Sequence, residues 1–176
     1  LSSIAFAPLP DDIAKRVAEL GAKQINLYRC LAHAPDLLRA WVDFAWALRG
    51  HNTTSRRLRE LMILRTAILH ASEYEWHQHA RMARAAGVTE QEMKDLEVWQ
   101  VSNAFSTAEK TALAFTDAVV AGNVPPALTD ELVRHFDETQ RVELTVTAAF
   151  YAMVPRVLAA LGVPIEGDSG QSEGEV

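Results

Sequence analysis

Apolar residues recur every three or four positions along almost the whole chain, and no stretch alternates strictly between apolar and polar positions. That periodicity predicts an all-α fold. A first helical segment, about residues 10 to 34, opens after Pro8 and Pro10 with Asp11 and Asp12 in its first turn, where negative charge suits the helix dipole. Its apolar face is Ile13, Val17, Leu20, Ile25, Leu27 and Leu31, and Gly21 marks a break inside it. Pro35 starts a second helix that buries Leu37, Leu38, Trp41, Phe44 and Trp46 and stops near Gly50, with the turn at residues 52 to 55 following. Two more helices cover residues 55 to 70 and 72 to 86, and Gly87 ends the second.

Three later starts carry a capping-box pattern, Thr89 with Glu92, Ser106 with Glu109 and Asp137 with Gln140, and Thr129 reads as a fourth start. Between them GNVPP at 122 to 126 is a helix breaker. The last strong helix, residues 137 to 161, carries Val142, Leu144, Val146, Ala149, Phe150, Met153, Val157 and Leu158, with Pro155 expected to kink or end it. The closing IEGDSGQSEGEV is polar, Gly-rich and acidic. The pattern as a whole predicts one helical domain over 1–164 with about six to eight helices, and a flexible acidic tail over 165–176. RELMILRTAILHA at 59 to 71 and RVELTVTAAFYAM at 141 to 153 echo one another, as two similar amphipathic helices would.

Composition narrows the function classes. A chain of 176 residues that is 49% apolar and 23% charged buries a sizeable core. The formal charge of -6 includes no Lys/Arg block clear of compensating acids, which argues against a nucleic-acid partner. No run approaches the roughly 18 apolar residues of a membrane span, and LSSIAFAPLP lacks the basic region and long apolar segment of a leader, so the reading is a soluble, cytoplasmic protein with no membrane partner. Cys30 is the single cysteine, which excludes an internal disulfide and any CxxC redox pair.

The candidate chemistry lies in residues 56 to 87, RRLRELMILRTAILHASEYEWHQHARMARAAG, where Glu60, Ser72, Glu73, Glu75, His77 and His79 interrupt apolar and Ala-rich sequence. With Ser72 set at zero on a helix turning about 100° per residue, Glu75 falls near 300° and His79 near 340°, so all three share one face. Glu75 and His79 are direct helical neighbours, and a carboxylate there orients an imidazole or shares its proton. Trp76 and Ala83 flank this face and could wall a pocket. Blander roles compete: Ser72 with Glu75 is also a capping box, Glu60 could be a surface partner of Arg56 or Arg57, and His79 could be a satisfied partly buried histidine. His70 and His77 are weaker candidates. No HExxH or comparable motif, phosphate loop or Ser-His-Asp arrangement is present, so no metal and no cofactor is assigned.

The register of Glu60, eleven residues, Ser72, two residues, Glu75, three residues, His79 resembles the signature of the carboxymuconolactone decarboxylase and alkylhydroperoxidase D superfamily. The surrounding LRELMILRTAILHASEYEWHQHARMARAAGVTEQEM is similar to that family's core helices and the turn after them. The resemblance covers roughly residues 30 to 162 and is best at 56 to 95. It implies an all-α bundle of the alkylhydroperoxidase D-like type and a homo-oligomer built from dimers or trimers. In the peroxidase branch the positions of Ser72 and Glu75 are cysteines, whose thiolate attacks peroxide and whose partner thiol resolves the sulfenic acid. Neither sulfur exists here, so peroxidase or peroxiredoxin activity is disfavoured.

The decarboxylase branch works on a carboxylated lactone in aromatic catabolism without thiols or a metal. By resemblance His79 is the proton carrier and Glu60 its partner or the orienter of a substrate; Glu75 is further catalytic acid/base equipment, and Ser72 and Trp76 are the substrate-binding candidates. The expectation is thus a carbon–carbon lyase acting by Glu/His proton transfer on a small carboxylated lactone or related organic acid. Two alternatives are a non-catalytic oligomeric scaffold or small-ligand binder, and a redox protein using Cys30 across a subunit boundary.

Overall fold

The computed structural model describes residues 3–50 and 52–167. Among the described residues there are nine α-helices, one 3-10 turn at Leu96–Val98 and no strand: α1 Asp11–Glu19, α2 Asn26–Leu31, α3 Pro35–Arg49, α4 Arg56–Leu69, α5 Glu73–Ala85, α6 Glu90–Asp95, α7 Thr107–Ala121, α8 Pro126–His135 and α9 Glu138–Leu161. The fold is all-α, as the periodicity predicts. The helix count exceeds the expected range partly because the first segment is two helices. Gly21, at φ 67, takes the left-handed conformation that closes α1 and that other residues adopt only at a cost.

Among the described residues the chain forms two compact units, one within residues 1–47 and 157–176 and one within residues 48–156. The first unit packs Ile13 and Val17 of α1 and Tyr28 of α2 with Ala32, and Leu38 and Val42 of α3. Arg39 joins Asp12 at 2.9 Å and Arg16 joins Asp43 at 3.3 Å across its rim. The buried face of α3 is Leu38, Val42 and Ala45, which corrects the expected face: Leu37 is 69% exposed, Phe44 is 45% exposed, and Trp41 and Trp46 are half-buried. Bulk alone misplaced that face by one position, since the small Ala45 completes the stripe. Glu166, in the stretch read as tail, accepts a hydrogen bond from the Asn26 amide at 2.8 Å, and residues 168–176 lie outside the described residues.

The second unit is organised around α4. Every residue from Leu58 to Ala67 is buried, so this central stretch of α4 has no solvent face and is instead a core helix. Leu61 and Leu64 pack on Ala80 and Ala83 of α5, then on Val88, Met93, Leu96, Trp99, Phe105 and Leu113. Leu58 and Met62 pack on Ala112 and Phe115 of α7, Leu132 of α8, Phe136, and Leu144 and Ala148 of α9. A helix enclosed on all sides must pair each polar side chain it carries, because an unpaired buried charge is costly. Arg65 does so with a two-bond fork on Asp117 at 2.7 and 2.9 Å and a further bond to the Leu96 carbonyl at 3.0 Å. Arg59 donates to the Thr54 carbonyl and, at 3.0 Å, to the Thr54 hydroxyl.

Helix starts follow the expected chemistry in three of four cases. Thr89–Glu92 and Ser106–Glu109 form full capping boxes, and Asp137 and Gln140 exchange amide hydrogen bonds at 3.1 and 2.8 Å. Arg57 ties the first two boxes to α4, bonding Glu92 at 3.1 Å and Glu109 at 3.0 Å. The fourth start is corrected: α8 begins at Pro126, whose fixed φ suits the first turn, and Thr129 lies inside it.

α9 spans the expected range and does not end at Pro155: it runs on for six more residues, and Arg156 donates to the Ala152 carbonyl in the turn where proline withholds an amide. Leu144, Thr147, Ala148, Phe150 and Tyr151 are buried, whereas Val142, Ala149 and Met153 are exposed. By length and composition alone α9 could cross a membrane, contrary to the sequence reading that no run approaches a span, but half of that apolar window is buried inside the fold.

Candidate functional site

The turn between α4 and α5 brings together three of the expected residues from the two helices. Glu60 projects from the middle of α4, and Glu75 and His79 from the first two turns of α5. His79 Nδ1 lies 2.8 Å from Glu60 Oε2, and His79 Nε2 lies 3.7 Å from Glu75 Oε2. All three are enclosed: Glu60 is 0%, His79 1% and Glu75 4% exposed.

Ser72 is the N-cap of α5, accepting a hydrogen bond from the Glu75 amide at 3.4 Å. It therefore starts the helix that aims Glu75 and His79. Trp76 is half-buried and packs against the Leu61–Leu64 side of the core. His77 is exposed, and His70 is the C-cap of α4 with its Nε2 accepting from Arg156 at 3.3 Å.

The charge state of the site follows from its donors. Burial pushes the Glu60 carboxyl up, but the hydrogen bond and charge of His79 and the positive charges of Arg56 and Arg49 outweigh it and hold the group below the usual carboxylate range. Arg56 also contacts the second oxygen of Glu60 directly. An ionised carboxylate has only acceptors, so the imidazole proton facing it sits on Nδ1. That assignment leaves Nε2, the nitrogen facing Glu75, to take or give the working proton.

Three further residues complete the site, and the sequence reading did not assign them to it. Tyr151 of α9 is 2% exposed and stacks its ring edge-to-face on His79, with centroids 5.0 Å apart and planes at 87°. Arg49, at the end of α3, donates from Nε to the Tyr151 hydroxyl at 3.3 Å. Arg56 donates to the Arg49 carbonyl at 3.4 Å and stands half-buried beside Glu60. Arg56 was legible as an i, i+4 partner of Glu60. Tyr151 had a weaker signal, a polar-tipped aromatic on the Leu144–Thr147–Ala148 face of an otherwise apolar helix.

This arrangement can hold an imidazole in one tautomer, stabilise it when protonated, and move one proton between Nε2 and a neighbouring oxygen or carbon. It offers no sulfur nucleophile. Cys30 belongs to the first compact unit, where burial pushes its thiol up, the opposite of the lowered value a reactive thiol needs.

Comparison with known proteins gives a consistent assignment. The model of the Carboxymuconolactone decarboxylase family matches residues 35–118. The uncharacterised protein YdfG of Bacillus subtilis is 26% identical over 132 residues, covering 73% of this chain and 89% of its own length. Among solved structures, an uncharacterised peroxidase-related protein from Ralstonia eutropha JMP134 with an alkylhydroperoxidase AhpD core superposes with a TM-score of 0.80 at 22% identity, over 94% of this chain and 93% of that one. A single-substitution variant of the debrominase Bmp8, in complex with 2,3,4-tribromopyrrole, superposes with a TM-score of 0.78 at 20% identity, over 94% of this chain and 95% of that one. The fold is therefore of the alkylhydroperoxidase D-like type. With this fold and the family match over residues 35–118, the chain is similar to the carboxymuconolactone decarboxylase and alkylhydroperoxidase D-like superfamily, and its single cysteine lies outside the motif.

Proposed function

We propose that this protein is a thiol-independent acid–base enzyme, a decarboxylase-type carbon–carbon lyase acting on a small carboxylated lactone or related organic acid. The observation that carries the reading is the Glu60–His79–Glu75 line, with 2.8 Å on one side of the imidazole and 3.7 Å on the other. In the reaction the bond to the carboxylate carbon breaks, carbon dioxide leaves, and the electron pair passes into the conjugated carbonyl as a dienolate. His79 Nε2, which faces Glu75 across 3.7 Å, then protonates carbon, and solvent restores the proton. Ionised Glu60 favours the imidazolium that precedes transfer, as a buried carboxylate does for a catalytic histidine elsewhere.

The complex of the debrominase with a tribromopyrrole supports a small planar ring as the kind of ligand this fold accepts. Family peroxidase activity gains no support, because Ser72 and Glu75 stand where the two thiols would be. The Cys30 redox reading is weakened by that thiol's burial. Exposed Val142 and Met153 on α9 support self-association, which light scattering after size exclusion would read.

Near-complete burial of Glu60 and His79 favours one second reading, in which the pair is a structural network in a non-catalytic scaffold or binder. A screen of carboxylated lactones, hydroxy acids and enones against the wild type and His79→Ala separates the two. Turnover by the wild type that survives in a folded His79→Ala variant would remove His79 as the proton carrier.

A further inference from the structure

The Tyr151 hydroxyl accepts a hydrogen bond from Arg49 Nε at 3.3 Å, and among the described residues its own proton has no acceptor. A phenol so enclosed, at 2% exposure, ordinarily finds a partner for both roles. Its ring is fixed edge-to-face on His79, which leaves it little freedom to seek one elsewhere. Burial, together with the charges of Glu75 and Glu60, pushes the phenol up against the opposing pull of Arg49, so the group is a neutral O–H donor at neutral pH. Arg49 is itself half-buried.

We propose that the Tyr151 hydroxyl, backed by the Arg49 guanidinium, is an oxyanion-binding donor that selects substrates whose reacting carbon is conjugated to a carbonyl. This rests on the acid–base reading above and deepens it. When the electron pair left by carbon dioxide moves into the carbonyl, negative charge gathers on that oxygen. A buried O–H aimed by a cation stabilises the charge more than the neutral ground state, without reorganising. His79 and Glu75 then serve the carbon end of the same conjugated system while Tyr151 serves its oxygen. Arg49 is a positioning residue here, because it acts through the hydroxyl. Acids with no carbonyl conjugated to the reacting carbon gain nothing from this donor and are poor substrates.

The test needs no known substrate. Nitrophenols are planar rings whose phenolate oxygen stands in for the dienolate oxygen, and their absorbance reports ionisation. Titrated with the wild type, a nitrophenol should bind as the phenolate and ionise at lower pH than in buffer. Tyr151→Phe should bind that phenolate about tenfold to a hundredfold more weakly, the range for a lost hydrogen bond to a charged group. Should that variant fail to fold, fluorotyrosine placed at 151 keeps the shape and makes a better donor, so phenolate should bind more tightly. Wild-type protein that does not bind phenolate, equal affinity in Tyr151→Phe, or no gain with fluorotyrosine would each overturn the proposal. His79→Gln keeps the functional reading separate: it should lose turnover and still bind phenolate. A wild type that binds phenolate yet turns over no conjugated acid defeats the lyase reading and leaves the donor site standing.

Discussion

Replacing Glu60 with Gln should invert the tautomer of His79. The substitution keeps the side chain's shape and removes its charge, leaving one carbonyl oxygen and one amide NH2 between two fixed neighbours. Arg56 has only donors, so it takes the carbonyl oxygen, and the NH2 group then faces His79 Nδ1. Nδ1 must become an acceptor, and its proton moves to Nε2, the side of Glu75. A hydrogen bond to a charged group contributes about 1.5–3 kcal/mol, and breaking a buried ion pair costs about 3–5 kcal/mol, so a loss near 3 kcal/mol of folding stability is expected. Turnover should fall about 10²- to 10⁴-fold, because the imidazole presents the wrong nitrogen. Long-range proton–nitrogen correlation spectra read which ring nitrogen of His79 is protonated, and urea unfolding reads the stability, both without a substrate. A neutral wild-type imidazole with its proton on Nε2 alone, or an unchanged tautomer and stability in Glu60→Gln, would refute the reasoning.

Other outcomes follow from the surrounding structure. Glu92 is held at about 2 by the Arg57 hydrogen bond, against burial, and further by the Thr89 amide and hydroxyl. A lowered carboxylate stabilises the fold fully above its unfolded value of 4.5, and the contribution drains as pH falls through about 2. The ceiling is about 3 kcal/mol and solvent screening brings it lower, so unfolding curves between neutral pH and about pH 2 should be less steep with pH in Arg57→Met. Ser72→Ala should cost about 1 kcal/mol through the lost cap while leaving the His79 tautomer unchanged, as the same spectra would show. Cys30→Ser should keep full turnover, and loss of turnover in a folded variant would revive the redox reading.

Much of the fold was legible because the helices obey local rules. Reciprocal capping at Thr89, Ser106 and Asp137 and the break at Gly21 are local chemistry, and all four stand where the residues put them. What failed depends on packing. The wrong face of α3 came from weighting Leu37 and Phe44 above the small Ala45. Thr129 has a capping side chain, yet Pro126 three residues earlier already meets the helix's geometric need. At the site, the spacing of Glu75 and His79 on one helix was readable from helical geometry, and their meeting with Glu60 came from the family register. Tyr151 reaches the imidazole, and Arg49 the Tyr151 hydroxyl, only through tertiary packing of α9 and the end of α3 within the same unit, which no spacing rule encodes.

The central claim, that His79 with Glu75 delivers a proton to carbon, is tested most directly by turnover of a carboxylated lactone in deuterated water. The wild type should release carbon dioxide and leave one deuterium on the carbon that lost it, with His79→Gln slower by about 10²-fold or more. Equal rates and equal deuterium incorporation in the two proteins would contradict the account.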